Sequence, residues 1–189
     1  MIVASVSCIF GLGSPEEFKK KVIPLRVGET SERDDFLRNL IDREETPELA
    51  GAFSAEAARA ALLADDLASA LRFAQRAITH NPLRADALEA AEKGAVFTRH
   101  CDEIAPLYGL VADRARGKYG RRAAHYRAAR YFEGNGYHDL AVVHASKAFE
   151  SVTSEACYAL MMRAAAKGAF EPAIEALESM GISVEFSHH

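Results

Sequence analysis

The chain has 189 residues, 49% of them apolar and 26% charged, a balance that excludes disorder of the whole and fits one folded domain with a small appendage. Its net charge of -4, from 23 basic and 27 acidic residues, excludes a chain-wide polycationic surface for nucleic acid or membrane, so any such affinity is local. No apolar run reaches the roughly 18 residues that span a bilayer. The apolar start MIVASVSCIFGLG has neither a basic leader nor a clear cleavage site. Cys8, Cys101 and Cys157 are odd in number and far apart, so we expect reduced thiols in a cytoplasmic protein.

The first quarter and the remainder differ in character. Ile2 to Ser7 is apolar and β-branched enough for a buried strand, and Gly11 and Gly13 punctuate a turn after it. A helix should follow, with Ser14 as its N-cap, Pro15 first and Glu17 closing a capping box, ending at Pro24. Thr30 and Ser31 can cap a second helix that places Phe36, Leu37, Leu40 and Ile41 on one face.

These residues carry a resemblance. The string IVASVSCIFGLGSPEEF, followed by LRVGE and RDDFLRNLID, resembles a segment of UvrB, the damage-verifying helicase-like subunit of bacterial nucleotide excision repair, over residues 2–43. In that family the string is a strand of the first helicase-like domain, near the DNA path. The resemblance therefore implies that Ser5, Ser7 and Phe10 sit toward DNA, with Phe10 standing where the family usually has tyrosine. The family's ATPase needs a GxxxxGK[ST] loop, whose backbone N–H groups and lysine cradle phosphates. No such motif is present, and Gly11-Leu12-Gly13-Ser14 lacks the lysine, so we read it as a turn and expect no ATP hydrolysis. The family would continue into a β-rich module, but after Arg43 the sequence EETPELAGAFSAEAARAAL is helical in character. We expect a fusion or recombined reading frame, with a fragment at 1–45, helical repeats at 46–182 and a tail at 183–189.

From Thr46 the chain is rich in alanine, the best helix former. Thr46 can cap a helix that begins at Pro47 and runs through Ala64, Asp65-Asp66 makes a turn, and a second helix covers Leu67 to His80, stopped by Pro82. Ala70, Ala77 and Pro82 then hold the marked positions of the second helix of a tetratricopeptide unit, a repeat of roughly 34 residues. Phe132, Gly136, Ala141 and Ala148 resemble the same unit, as do Gly168, Phe170, Ala173 and Leu177. The unit at 85–121 is degenerate, with Ile104 where a small alanine belongs and a second helix expected to start near Pro106. The fold we expect is mainly α, a helix-turn-helix solenoid with a short strand-turn-helix appendage. Its core should comprise Leu67, Leu71, Phe73, Ile78, Leu107, Leu110, Tyr131, Phe132, Leu140, Val143, Phe149, Leu160, Ile174 and Leu177.

By resemblance to such repeats, the first helix of each unit lines a concave face, where the ninth positions are Arg59, Lys93, Arg130 and Met162 and the fifth positions include Tyr126 and Tyr158. Three cations beside two aromatic rings suit an acidic peptide, although the asparagines of a full carboxylate clamp are missing. Arg114, Arg116, Lys118, Arg121, Arg122, Arg127 and Arg130 form a basic run opposed only by Asp113. We read it as a solvated or inter-repeat charged face before a phosphate-binding one, because no recognised nucleic-acid module accompanies it. His100 beside Cys101, and His138 with His144, lack metal-ligand spacing. We find no catalytic constellation. The expected function is a non-enzymatic protein-interaction scaffold needing no cofactor or metal. The alternative is a repair-protein fragment that contributes to DNA or repair-complex binding.

Overall fold

The computed structural model of the protein describes residue 41 and residues 47–182. The readings made for the strand at 2–7, the turn and caps at 11–31, the Thr46 cap and the 183–189 tail lie outside these residues. Of the second expected helix only Ile41 is described, and it is helical and fully buried in the hydrophobic core.

Among the described residues there are eight α-helices, packed in sequential antiparallel pairs, and no strands. The first pair is α1 (Pro47–Leu63) and α2 (Leu67–His80). Asp65 makes the turn between them in a left-handed conformation, φ 58°, and the Asp66 side chain accepts a hydrogen bond from the Ser69 N–H at 3.1 Å, capping α2. Pro82 follows the end of α2, where it cannot prolong the helix. The second pair is α3 (Ala85–Thr98) and α4 (Ala105–Arg114), joined through a 3-10 turn at Cys101–Ile104. Ile104 is fully buried in that turn, and Pro106 lies in the first turn of α4, where its missing N–H costs nothing. The bulky side chain in place of alanine thus coincides with a helix that starts late. The third pair is α5 (Gly117–Gly134) and α6 (His138–Ser151), and the fourth is α7 (Glu155–Ala166) and α8 (Phe170–Ser179).

Helices pack on their neighbours in sequence, except that α3 and α4 meet chiefly through the 3-10 turn between them, and alternate helices also touch: α1 with α3, α2 with α4, α5 with α7 and α6 with α8. Within the first two pairs and again within the last two, odd-numbered helices thus lie beside one another, as do even-numbered ones. Backbones approach most closely where side chains are small. Ala70, Ala74, Ala77 and Ala141 are fully buried, as are Ala58 and Ala145. Between the second and third pairs α4 packs on α5, but α3 with α5 and α4 with α6 lack the close approaches of the other alternate helices.

Two expected core residues face outward. Leu110 is 38% exposed, because α4 turns Tyr108 and Ala112 inward and Leu110 lies about 200° round the helix from Tyr108. Val143 is 41% exposed, because α6 buries Ala141, Val142 and Ala145 and leaves its neighbour on the outer face. Leu67, Tyr131, Leu140, Phe149 and Ile174 are half-buried, and the others expected are buried. Tyr108, Ile104 and Met161 are fully buried and were not anticipated as core.

Gly94 sits where α3 crosses α2, and a Cβ there would lie 2.6 Å from Leu71 Cβ and 2.7 Å from the Leu67 carbonyl oxygen. Gly109, in α4, has open space around the same position. Gly94→Ala should therefore destabilise the protein by about 1 to 3 kcal/mol despite alanine's better helix propensity. Gly109→Ala should stabilise it by about 0.4 to 1 kcal/mol. Urea midpoints that move in the same direction for both variants would contradict the close crossing.

Candidate functional site

The wide seam between the second and third pairs is bridged by long side chains that converge on Glu92 of α3. The Tyr108 hydroxyl of α4 donates to its carboxylate, and Arg127 of α5 forks onto the same carboxylate, with Nε and an Nη at 2.8 and 2.9 Å from its two oxygens. The Tyr131 hydroxyl donates to the Glu92 backbone carbonyl at 3.3 Å. Burial, and then the hydrogen bond to Glu92, push the Tyr108 phenol far above its ordinary range, so it stays protonated. The bond to Glu92 raises the Arg127 guanidinium.

Behind this network lies an aromatic cluster. Tyr108 meets Phe132 edge-on with centroids 5.7 Å apart, and Phe132 stacks on His144 at 5.5 Å. His144 Nδ1 lies 3.1 Å from His125 Nδ1, so in the neutral pair one ring donates and the other accepts. Burial first, then the charges of His125 and Lys147, hold the His144 imidazolium down, to about 4. Burial and Lys147 lower His125 also, against a smaller opposing pull from Asp113. One pair further along, Arg163 and Lys167 of and just beyond α7 reach Glu133 of α5 at 2.9 and 3.5 Å, and the bond to Arg163 lowers the Glu133 carboxyl.

Over the seam opens a groove of about 520 Å³ between α3, α5 and the start of α7. Arg122, Tyr126 and Arg130 line it, recurring every four residues on α5 and so forming one row along that helix. Glu92 and Arg127 close one side, Ser154 and Ala156 the other. Arg122 and Arg130 have no ion-pair partner among the described residues. The lining carries three guanidinium groups against one carboxylate, which Arg127 and Tyr108 already hold. The geometry suits an anion or an acidic chain.

Of the residues expected to form a groove, Tyr126 and Arg130 are brought together here. Arg59 instead pairs with Glu56 on its own helix at 2.8 Å, and Lys93 with Glu89 at 2.7 Å. Tyr158 is 38% exposed on α7 and Met162 packs at the edge of the core; neither lines the groove. Ser5, Ser7 and Phe10 lie outside the described residues. Arg122 and Arg127 belong to the basic run, and Arg127 forms an ion pair across to Glu92 of α3. Among the described residues no cluster of three or more His, Cys, Asp or Glu could hold a metal ion, and no helix is long and apolar enough to cross a membrane. Cys101 and Cys157 are buried and free.

Comparison with known proteins matches a short stretch of the chain to UvrABC system protein B. The chain is 52% identical to that protein of Streptomyces coelicolor over 46 residues, which are 24% of this chain and 6% of the relative. It is 64% identical to that of Halalkalibacterium halodurans over 42 residues, 22% of this chain and 6% of the relative. With that of Chlorobium chlorochromatii it shares 61% over 41 residues, again 22% and 6%. The match thus spans about 6% of the length of these curated relatives. No protein-family model matches the chain, and no solved structure does. The UvrB-like segment is therefore shown, while the helical domain has no family assignment.

The histidine pair makes a pH prediction. A buried imidazole whose folded pKa lies below its unfolded value leaves stability intact above about pH 6.5 and loses it as the unfolded chain takes up the proton. Between pH 7 and pH 5, where most carboxylates stay ionised, the loss through His144 should be about 2 kcal/mol. Urea denaturation across that window should show the decline in the native protein and a flatter profile in His144→Gln; parallel profiles would refute the assignment.

Proposed function

We propose that the chain is a non-enzymatic interaction scaffold of tetratricopeptide-like repeats that holds an acidic protein segment in the groove between α3, α5 and α7. The paired helices support the repeat reading, as do Ala70 and Ala141, fully buried, and Ala173, 2% exposed, at the positions where such units need small side chains. The observation that carries the binding reading is the row Arg122, Tyr126, Arg130, two cations unpaired among the described residues on either side of an aromatic ring in a concave wall. Exposed ion pairs contribute only about 0.2 to 1 kcal/mol each, so the complex is weak, salt-sensitive and dependent on several contacts together. A cytoplasmic location fits the reduced thiols.

Replacing Arg122 and Arg130 together with Ala should weaken binding to acidic peptides from a library by more than tenfold and leave helicity unchanged. The pair Arg59→Ala and Lys93→Ala should change it less than threefold, because each of these cations is held by a glutamate on its own helix. Equal losses in the two double variants would overturn the groove assignment.

The identity to UvrB favours a second reading, in which the first segment contributes to DNA or repair-complex binding without ATPase activity. On that reading, replacing Ser5, Ser7 and Phe10 together with Ala lowers affinity for damaged duplex DNA at least fivefold. Unchanged affinity ends it.

A further inference from the structure

We infer that the groove reads its acidic segment in one register: an extended strand with an acidic residue, an apolar residue two positions on and a second acidic residue two beyond that. This rests on the proposed acidic-segment binding and adds the spacing. Arg122 and Arg130 are eight residues apart on α5, which at 1.5 Å per residue separates them by about 12 Å along the helix. Along a strand, residues i, i+2 and i+4 share one face, and four steps cover about 13 Å. An extended ligand laid along α5 therefore sets its first and fifth side chains at the two guanidinium groups and its third at Tyr126.

Other backbones fit the row less well. A helical ligand with acids four residues apart offers only about 6 Å between them and reaches one arginine at a time. Adjacent acids in an extended chain point to opposite faces, so one of the two turns away from α5. Glu92 sharpens the selection. Its carboxylate lines the groove beside Arg127, which forks onto it, so a ligand acid placed there meets a cation already neutralised and a like charge. The two open guanidinium groups are thus the outer members of the row. On the opposite wall the Ser154 side chain makes no capping bond to α7, which leaves its hydroxyl able to hydrogen-bond the backbone of a bound strand.

The test uses the full chain and fluorescence anisotropy with labelled peptides of one composition, one with the core Glu-Thr-Leu-Thr-Glu and one with Glu-Glu-Leu-Thr-Thr. The first should bind at least fivefold more tightly, and Arg122→Ala should reduce that preference to less than twofold. Equal binding of the two peptides, both lost in Arg122→Ala with Arg130→Ala, would overturn the register and leave the acidic groove standing. Binding of neither peptide would overturn the acidic-segment reading as well. Tighter binding of single-stranded DNA than of either peptide, lost in the same double variant, would make nucleic acid the occupant and overturn both.

Discussion

The geometry of this molecule depends on one carboxylate. Glu92 receives a phenol from α4 and a guanidinium from α5, and its backbone carbonyl receives a second phenol from α5, so three helices meet at one residue. Elsewhere alanine and glycine let backbones touch and dispersion holds them. At this seam α3 and α5 lack that approach, and long side chains with polar tips bridge the gap between them. The pairing is also self-consistent: a buried Tyr108 hydroxyl without Glu92 would be an unsatisfied donor, and Glu92 without Arg127 would be a half-buried charge without its counter-ion. The anchors at Arg127 and Tyr131, together with the buried face of Ala128, Ala129 and Phe132, set the rotation of α5 that turns Arg122, Tyr126 and Arg130 toward the groove.

Much of the helical domain is legible in the sequence wherever a local residue decides the backbone. Asp65-Asp66 and Pro82 bracket α2, and its observed limits are those the turn chemistry sets. Pro106 marks the late start of α4 in the same way. Helix phase is less legible, because in alanine-rich helices several faces are small and apolar and the hydrophobic pattern does not single out one. Leu110 and Val143 were misplaced for that reason. Tyr108 and Met161 were missed because their burial depends on partners that arrive from other helices.

The groove was legible only in part. The repeat frame selected Tyr126 and Arg130, but treating equivalent positions in every unit alike drew in Arg59 and Lys93. In the structure each pairs with an acid on its own helix, and the spacing shows it, since Glu56 lies three residues before Arg59 and Glu89 four before Lys93. Arg122 was hidden in a basic run that composition could describe only as charged. Its place in the groove depends on the rotation of α5, which contacts with other helices set. The N-terminal stretch shows the opposite situation, with strong local similarity to UvrB while most of it lies outside the described residues. Ile41 nonetheless lies in the common core of the helical domain.

The wide seam also has a mechanical meaning. Helices stacked in series behave as springs in series, and the most compliant contact takes up most of any bend. Between the second and third pairs α3 and α5 do not approach closely, and the link between them is made by the tips of Arg127 and Tyr131 on Glu92. The groove straddles it, with Glu92 on one bank and the α5 row on the other. The width of the groove is therefore set by these side-chain links.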